Sequence, residues 1–452
     1  MQAGIRTERN TLHRACVISP GRVAYGDGTS VDTHPSLASD LLTILTGTTD
    51  RFEVQGTVLI RDVPLSAFTG QSAGLKAAGW EHSTIAAWTL FHRGDGRTVA
   101  VGVQDALRGN QVGALVDDGT DAGVAALLLD RYHAATGTAW RGTYVTTALA
   151  AMRLSWTNDR YQPLWRQPAA GPGYGAGPLV WARDLTAAEQ AWGYVHTFDT
   201  TNAYLASAIS ADVAWSELRP TGPQMFDAKL PGYWLVQPEQ STLDLARDPL
   251  RPPLLPARKA LKGGRWWMTT PYARLLADLG DRVEVVDSRT GRAGVRPDGT
   301  RIHPAQSRIL RKWGEQLRDG LTTAGRMAPG GLRDTLTYAI KRTYKDATGG
   351  MQRDGMRVSR TDWAHTVIDL RAATLYRRIL HVHKTQGVWP VAVKVDSVSY
   401  ADCVPTPQTS PTQGFESLGE SIGVRAGVGG LTYDGTVTSA EWMAARKRKA
   451  RR

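Results

Sequence analysis

The chain has 452 residues, of which 42% are hydrophobic and 21% are charged, a composition that excludes a disordered chain and allows two or three domains. The 54 Lys and Arg against 42 Asp and Glu give a net charge of +12, which favours an anionic partner such as nucleic acid, or reflects compositional drift alone. Two cysteines exclude a disulfide framework, and no apolar run reaches the roughly 20 residues of a membrane span, so we expect a cytoplasmic protein without a membrane partner.

The first part of the chain predicts an N-terminal α/β or α+β domain over residues 1–165. Strand-like runs occur in "FEVQGTVLI", "TIAAWTLFH" and "RTVAVGV", and "DAGVAALLLDRYHAATG" has a helical pattern. The segment "RQPAAGPGYGAGP" (166–178) is rich in Pro and Gly, which predicts a linker.

The chain beyond residue 178 changes character. A capping box, Thr186 with Glu189, predicts a helix start. The strand-like "RWWMTT" and "RVEVVDS" precede two amphipathic helical stretches, 307–324 and 331–350, which we expect to form an antiparallel helical hairpin. A longer helix over 360–385 then leads into "VAVKVDSVSYAD".

Two acidic residues stand next to apolar, strand-like runs. Asp199 lies in "HTFDTTNAYLAS" (196–207), and Asp396 directly follows "VAVKV". A carboxylate at the end of an apolar strand is costly unless it is paired or binds a cation. Asp199 is therefore either a helix-cap residue or a ligand of a divalent metal that it shares with Asp396.

The residue types in this part of the chain suit phosphoryl transfer. Mg²⁺ is held by one or two carboxylates, with waters and phosphates completing the octahedron, and two such ions can clamp the attacking and leaving oxygens. The helical hairpin supplies cations for a triphosphate, namely Arg318, Lys341 and Lys345, and the two lysines are four residues apart on one face.

The same segments, in order and kind, resemble the palm and fingers of family B DNA polymerases, the class that includes the protein-primed phage and plasmid enzymes. "DTTNAYLAS" is similar to the first palm motif, in which Asp is followed by Ser or Asn at three and Tyr at five. The resemblance implies that Asp199 binds both metals, that Asn202 positions the turn, and that Tyr204 packs under the incoming sugar and excludes a 2′-hydroxyl.

Two further motifs carry this resemblance over roughly 190–402. "KRTYKDATG" keeps the fingers residues Lys341 and Gly349, with Lys345 where Asn is usual and Thr348 where Tyr is usual. "KVDS" matches the second palm motif, Asp-Thr-Asp-Ser. There Asp396 and Ser397 correspond to the essential second Asp and the Ser, and Lys394 replaces the first Asp. A lysine beside the carboxylate would lower the negative charge that attracts the metal.

Two features of the family have no counterpart here. Residues 1–190 contain no Asp-x-Glu, the first motif of the family's RNase H-like proofreading exonuclease. Asp62 lacks a partner acid, and the cluster Asp117, Asp118 and Asp121 is typical of a turn and helix cap. Only 50 residues follow Asp402, in which we expect a small strand pair, one short helix and a basic tail. We therefore expect no proofreading and a reduced thumb.

The resemblance implies an α/β and α+β multidomain chain: an antiparallel palm sheet with helices and helical-hairpin fingers, after an N-terminal domain that is a degenerate RNase H-like exonuclease or unrelated. The predicted segments are the N-terminal domain 1–165, linker 166–178, palm 179–300, fingers 301–358, palm 359–405, and thumb-like region with basic tail 406–452.

The implied function is DNA-directed nucleotidyl transfer with two Mg²⁺ or Mn²⁺ ions, from dNTP to a DNA or protein primer. Its partners would be template, primer, dNTP and a terminal or accessory replication protein. Two alternatives stay open: a catalytically inactive polymerase-like protein that binds DNA or serves assembly, and a basic scaffold whose motifs match by chance.

Overall fold

A computed structural model describes residues 13–46, 54–82, 88–95, 98–104, 120–156, 162–167, 180–242, 249–254, 264–295, 301–405 and 428–450. Most of the predicted linker, 166–178, and the first part of the predicted thumb-like region, 406–427, lie outside these residues. The chain divides into two compact units. The first is Met1–Ser155 with Glu315–Gly350, and the second is Trp156–Gly314 with Met351–Arg452.

The secondary structure is mixed. The strands are β1 (His13–Ser19), β2 (Arg22–Tyr25), β3 (Ser30–Asp32), β4 (Val54–Ile60), β5 (Trp80–Glu81), β6 (Trp88–Arg93), β7 (Thr98–Val103), β8 (Val180–Ala182), β9 (Tyr194–Thr200), β10 (Val213–Ala214), β11 (Arg219–Pro220), β12 (Gly232–Gln237), β13 (Trp266–Thr269), β14 (Glu284–Thr290), β15 (Gly294–Val295), β16 (Arg301–His303), β17 (Gln306–Ser307), β18 (Ala392–Lys394), β19 (Ser397–Asp402) and β20 (Leu431–Thr438). The α-helices are α1 (Leu41–Thr46), α2 (Ser72–Ala77), α3 (Ala122–Thr136), α4 (Tyr144–Leu154), α5 (Ala187–Trp192), α6 (Ala203–Ser210), α7 (Thr270–Asp278), α8 (Arg311–Gly325), α9 (Gly331–Gly350), α10 (Thr361–Gln386) and α11 (Ser439–Ala450). Two 3₁₀ helices, Pro35–Ser39 and Leu65–Phe68, complete the first unit.

The first unit is built on a seven-stranded sheet with the order β3-β2-β1-β4-β7-β6-β5. Strand β4 runs parallel to both β1 and β7, whereas the other neighbours are antiparallel. The core over this sheet consists of apolar strand residues such as Ile18, Val58 and Phe91, all almost fully buried. The predicted α/β character of this part of the chain is confirmed.

Helix α9 is part of the first unit. The hydroxyl groups of Thr343 and Tyr132 lie 2.8 Å apart, and Gly350 packs so closely on α4 that a Cβ there would lie 2.5 Å from Val145 Cγ1. The predicted helix over 331–350 is confirmed. The predicted helix over 307–324 begins later, at Arg311, because Gln306 and Ser307 pair with β10.

The second unit contains a five-stranded antiparallel sheet with the order β20-β9-β19-β18-β8, which we call the central sheet, and a four-stranded sheet with the order β11-β14-β12-β13. Helices α7 and α10 share one apolar core with Phe198 and Val398 of the central sheet. In the C-terminal region, the described strand β20 pairs with β9 instead of forming the separate small strand pair that the sequence suggests.

Local signals define the start of helix α5. Thr186 and Glu189 form the predicted capping box, and the Glu189 carboxylate accepts two bonds from Arg183, of 2.7 and 2.6 Å. Burial alone would raise the pKa of Glu189, but the bonds from Arg183 and the Thr186 amide outweigh it, so this pKa lies below its usual value.

None of the helices among the described residues combines the length and the apolar character that crossing a bilayer requires.

Candidate active site at the end of the central sheet

Asp199 lies on β9, which runs between β20 and β19 in the central sheet, and it is one residue before the end of this strand. Its antiparallel partners are Ser397 on β19 and Thr432 on β20. Helix α6 begins only at Ala203, and its N-cap residue is Asn202. The helix-cap interpretation of Asp199 is therefore wrong, since this residue is part of a strand.

Asp396 lies at the tip of the hairpin between β18 and β19. Lys394 pairs with Ser397, so Val395 and Asp396 form a two-residue turn, and the Ser397 hydroxyl donates to the Lys394 carbonyl at 3.0 Å. Val395 has φ of 62°, a left-handed conformation that favours glycine and is a marked outlier for a β-branched residue. The turn is therefore strained at the residue before the carboxylate.

The backbone links the two aspartates directly. The amide of Thr200 donates to the carbonyl of Asp396 at 3.0 Å, and the next pair in the register is Asp199 with Ser397. Asp199, on β9, and Asp396, in the turn before β19, are thus one register step apart at one end of the central sheet. Hydrogen bonding between strands nearly 200 residues apart in sequence creates this proximity.

The segment after β9 turns sharply into α6. Asn202 has φ of 52° and ψ of 44°, and Asn is among the few residue types that adopt this left-handed conformation without large strain. Tyr204 follows on the first turn of α6. Its half-buried ring faces the guanidinium group of Arg371, whose carbon lies 4.6 Å from the ring centroid.

A cavity of about 230 Å³ opens beside this turn in the second unit. Residues of α6, α10, the hairpin tip and the segment before β20 surround it: Thr200, Ala203, Ala206, Ser207, Ser210, Leu370, Arg371, Thr374, Leu375, Arg378, Asp396, Val428 and Gly429. The guanidinium group of Arg378 donates to the Gly429 carbonyl. Asp396 therefore shares its cavity with two arginines.

Our reading of the sequence missed Arg371. Its side chain is only 3% exposed, and none of its three guanidinium nitrogens has a hydrogen-bond partner within the described chain. A signal was available, because Val367 and Leu375, four residues before and after it, are apolar and buried and predict that this helix face lies inside.

The residues predicted to bind the triphosphate belong to the first unit. Lys341 and Lys345 are exposed one turn apart on α9, as helical spacing requires. Arg318 on α8 contacts Asp319 through Nε and Nη2, at 3.0 and 2.9 Å. Gly349 is exposed, and a Cβ at this position would contact nothing within 4 Å, so packing does not explain its glycine.

The donor set suits a hard divalent cation. The described residues hold no group of three or more His, Cys, Asp or Glu side chains that could bind a metal, so a site at the sheet end would depend on Asp199 and Asp396. Two carboxylates, completed by waters and phosphates, are the protein ligands that Mg²⁺ commonly uses. Lys394, at the end of β18, is exposed two residues before Asp396.

His196, on the same strand as Asp199, is fully buried. Its Nδ1 lies 2.6 Å from the Thr436 hydroxyl, and its Nε2 lies 3.6 Å from Asp402 Oδ2. Burial lowers the pKa of His196, and the Asp402 charge offsets this only in part. The imidazole is therefore a neutral, packed group.

Two acidic residues of the first unit bear on the prediction that this part of the chain has no proofreading exonuclease site. Asp121 caps α3, accepting bonds from the amides of Gly123 and Val124 at 2.8 and 3.2 Å, so the helix-cap interpretation is confirmed. Asp62 is exposed just after β4 with φ of 57°. Asp117 and Asp118 lie outside the described residues.

Comparison with known proteins gives a distant structural likeness. No protein-family model matches the chain, and no curated protein does. Phi29 DNA polymerase complexed with primer-template DNA aligns at a TM-score of 0.43 and 11% identity, over 92% of this chain and 81% of that chain. Its ternary complex with incoming nucleotide substrates aligns at 0.42 and 10%, over 93% and 84%. These structures are what the chain distantly resembles, and any functional assignment depends on the site itself.

Proposed function

We propose that the chain is a DNA-directed nucleotidyltransferase of the family B polymerase type, which transfers nucleotides from dNTP to a DNA or protein primer. One observation carries the proposal: Asp199, near the end of β9, and Asp396, in the turn before β19, lie one register step apart. Two acidic residues that the backbone brings together at the end of one sheet suit a shared cation better than a structural role.

The proposed roles follow from the side chains. Asp199 and Asp396 would hold Mg²⁺ or Mn²⁺, which supplies Lewis-acid stabilisation of the charge on the transferred phosphoryl group. Asn202 sets the direction of the chain after β9, and Tyr204, half-buried at the start of α6, limits the space for a sugar 2′-hydroxyl. Lys341 and Lys345 stay predicted ligands of the triphosphate.

We further propose that the first unit is a degenerate RNase H-like domain without proofreading. The antiparallel strands β3, β2 and β1 continue into parallel β4 and β7, an arrangement that RNase H-like sheets share. Asp121 uses its carboxylate as a helix cap, and Asp62 is a lone exposed acid after β4. Neither residue suits a two-carboxylate exonuclease site.

Nucleotide incorporation tests the proposal. Purified protein with primer-template DNA, dNTPs and Mg²⁺ or Mn²⁺ should extend the primer. Asp199→Asn or Asp396→Asn should lower the rate about 100-fold or more, since a metal ligand contributes several kcal/mol to the transition state. Asp434→Asn, which makes the same change at an exposed position of β20, should leave the rate unchanged. Extension that survives both substitutions would exclude the site.

Lys394 supports a second candidate, a catalytically inactive polymerase-like protein that binds DNA or serves assembly. Its exposed ammonium group stands where the family's first carboxylate would lie, which weakens attraction for a cation. This candidate predicts salt-sensitive DNA binding without turnover on any template. Calorimetric titration of Mn²⁺ separates the two, because the active enzyme binds metal and loses it in Asp396→Asn.

A further inference from the structure

The aromatic ring of Tyr204 makes one directional contact within the described part of the chain. The guanidinium carbon of Arg371 lies over the ring, 4.6 Å from its centroid, which is a cation–π contact. The Tyr204 hydroxyl makes no hydrogen bond with any described residue. Apart from nonpolar packing, the orientation of this half-buried ring therefore depends on Arg371.

Arg371 depends on the ring in turn. Its side chain is 3% exposed, and it forms no hydrogen bond or ion pair with any described residue. The residues one helical turn away, Val367 and Leu375, are apolar and buried, so they offer no counter-charge. The group keeps its charge, because the pKa of a guanidinium exceeds 12. The face of the Tyr204 ring is thus the electrostatic partner that the described residues give to this buried charge.

The two side chains connect a long helix to the start of the candidate site. Arg371 lies in the middle of α10, a helix of 26 residues whose Ala373 and Tyr376 belong to the main core of the second unit. Tyr204 lies on the first turn of α6, directly after the turn that follows Asp199 and β9. A cation–π contact that is shielded from water is stronger than an exposed one. Arg371 is therefore placed to hold the Tyr204 ring in one orientation.

We propose that Arg371 is a positioning residue that fixes the Tyr204 ring and thereby sets how strictly the site distinguishes a deoxyribose from a ribose. The inference rests on the proposed function, in which Tyr204 limits the space for a 2′-hydroxyl. A ring that moves between rotamers leaves room for the extra oxygen part of the time, whereas a fixed ring excludes it continuously. Arg371 acts through Tyr204, since its own guanidinium nitrogens are covered by the protein.

The test compares incorporation of a dNTP and of the matching ribonucleotide on one primer-template with Mg²⁺, as the ratio of the two kcat/KM values. Arg371→Met removes the charge from a side chain of similar length and should lower this ratio about 10-fold or more. The change should come from a lower KM for the ribonucleotide, while kcat for the dNTP stays within about twofold. Arg371→Lys keeps a cation near the ring and should restore most of the ratio.

Two further variants separate the contact from other effects. Tyr204→Leu removes the ring and should lower the ratio at least as far as Arg371→Met does. Adding Arg371→Met to Tyr204→Leu should lower it no further, because the arginine acts through the ring. Arg377→Gln, on the same helix but paired with Asp278 at 2.7 Å, should leave the ratio unchanged. Equal losses from Arg371→Met with and without the ring would overturn the proposal.

Melting temperatures measure the same contact without turnover. Tyr204→Leu should lower the melting temperature more in the wild type than in Arg371→Met, because it leaves the buried charge without its ring. Additive shifts would overturn the proposal. If Arg371→Met does not fold, Arg371→Gln, whose side chain is also neutral, replaces it in both measurements.

The outcomes separate this inference from the proposed function. A wild type that incorporates neither nucleotide contradicts the proposed function, together with the sugar discrimination that depends on it. An active wild type whose ratio is unchanged in Arg371→Met contradicts only the role of Arg371. A loss of kcat for both nucleotides in equal measure would show that Arg371 supports the fold alone, and it would also overturn the inference.

Discussion

Helix α10 buries two arginines that differ in almost every respect except burial. Arg360, at its N-cap, is fully buried and bonds Asp362 through Nε and Nη2 at 2.8 and 2.7 Å. The same group also donates to three backbone carbonyls, those of Leu164, Ala214 and Ser216. Arg371, three turns later, has no such partner in the part of the chain that the structure describes.

The two arginines differ in whether the protein satisfies the hydrogen-bonding capacity of the buried guanidinium group. Arg360 ties three segments of the second unit together, and every bond that it makes is internal. Arg371 lines the cavity that contains Asp396, and its three guanidinium nitrogens have no hydrogen-bond partner among the described residues. Burial of a charged side chain is thus no marker of function by itself.

Loss of Arg360 should have the largest effect on stability. Arg360→Met leaves the Asp362 carboxylate buried and unpaired, so the free energy of unfolding should fall by about 3–5 kcal/mol, as measured by urea denaturation. Arg371→Met should change it in the opposite direction.

A double variant sharpens this result. Arg360→Met with Asp362→Leu removes both buried charges and should recover much of the loss, because the penalty comes mainly from the orphaned partner. If Arg360→Met alone costs less than about 1 kcal/mol, the contrast between the two arginines is broken.

His196 shows a third way to bury a titratable group, since an imidazole, unlike a guanidinium, can become neutral. Burial keeps the pKa of His196 below its usual value, and the unfolded chain binds the proton first, near pH 6.5. Stability from this residue is therefore present above pH 6.5 and lost as pH falls, by up to about 1.4 kcal/mol per pH unit. Urea denaturation at pH 5–8 measures the slope.

Two variants separate His196 from other groups. His196→Gln should flatten the slope between pH 5 and 6.5. Asp402→Asn removes the charge that raises the His196 pKa, so the loss of stability should continue to lower pH than in the wild type. An unchanged slope in His196→Gln would assign the pH dependence to another residue.

The smallest effect is expected at Val395, where the strain lies in the backbone instead of a charge. Val395→Gly removes about 1–2 kcal/mol of left-handed strain and adds about 0.5–1 kcal/mol of chain flexibility, so stability should rise by about 1 kcal/mol or less. Primer extension should fall a few-fold, because a freer turn holds Asp396 less rigidly.

Val393→Gly is the matched control, because Val393 is buried within β18, outside the turn. It should destabilise the protein by about 2 kcal/mol or more through lost packing. If Val395→Gly lowers the stability as much as Val393→Gly does, the backbone of the turn at Val395 is not strained.

Interactions between residues close in sequence were predictable. The capping box of α5 and the helix over 331–350 follow from contacts within four residues, which the sequence contains in full. The spacing around Asp199 and Asp396 likewise singled out both acidic residues before their strands were seen to pair.

Contacts between residues far apart in sequence are determined only by the tertiary structure. Pairing of β20 with β9 brings together residues more than 230 positions apart, and no local pattern specifies a partner strand at that distance. Helix α9 joins the first unit because Thr343 and Gly350 pack there. The same holds for Arg371, which the sequence shows only as an arginine on a helix. Packing from several segments decides that its charge is buried beside Tyr204 and has no hydrogen-bond partner among the described residues, because burial and hydrogen bonding depend on the surroundings that the folded chain assembles.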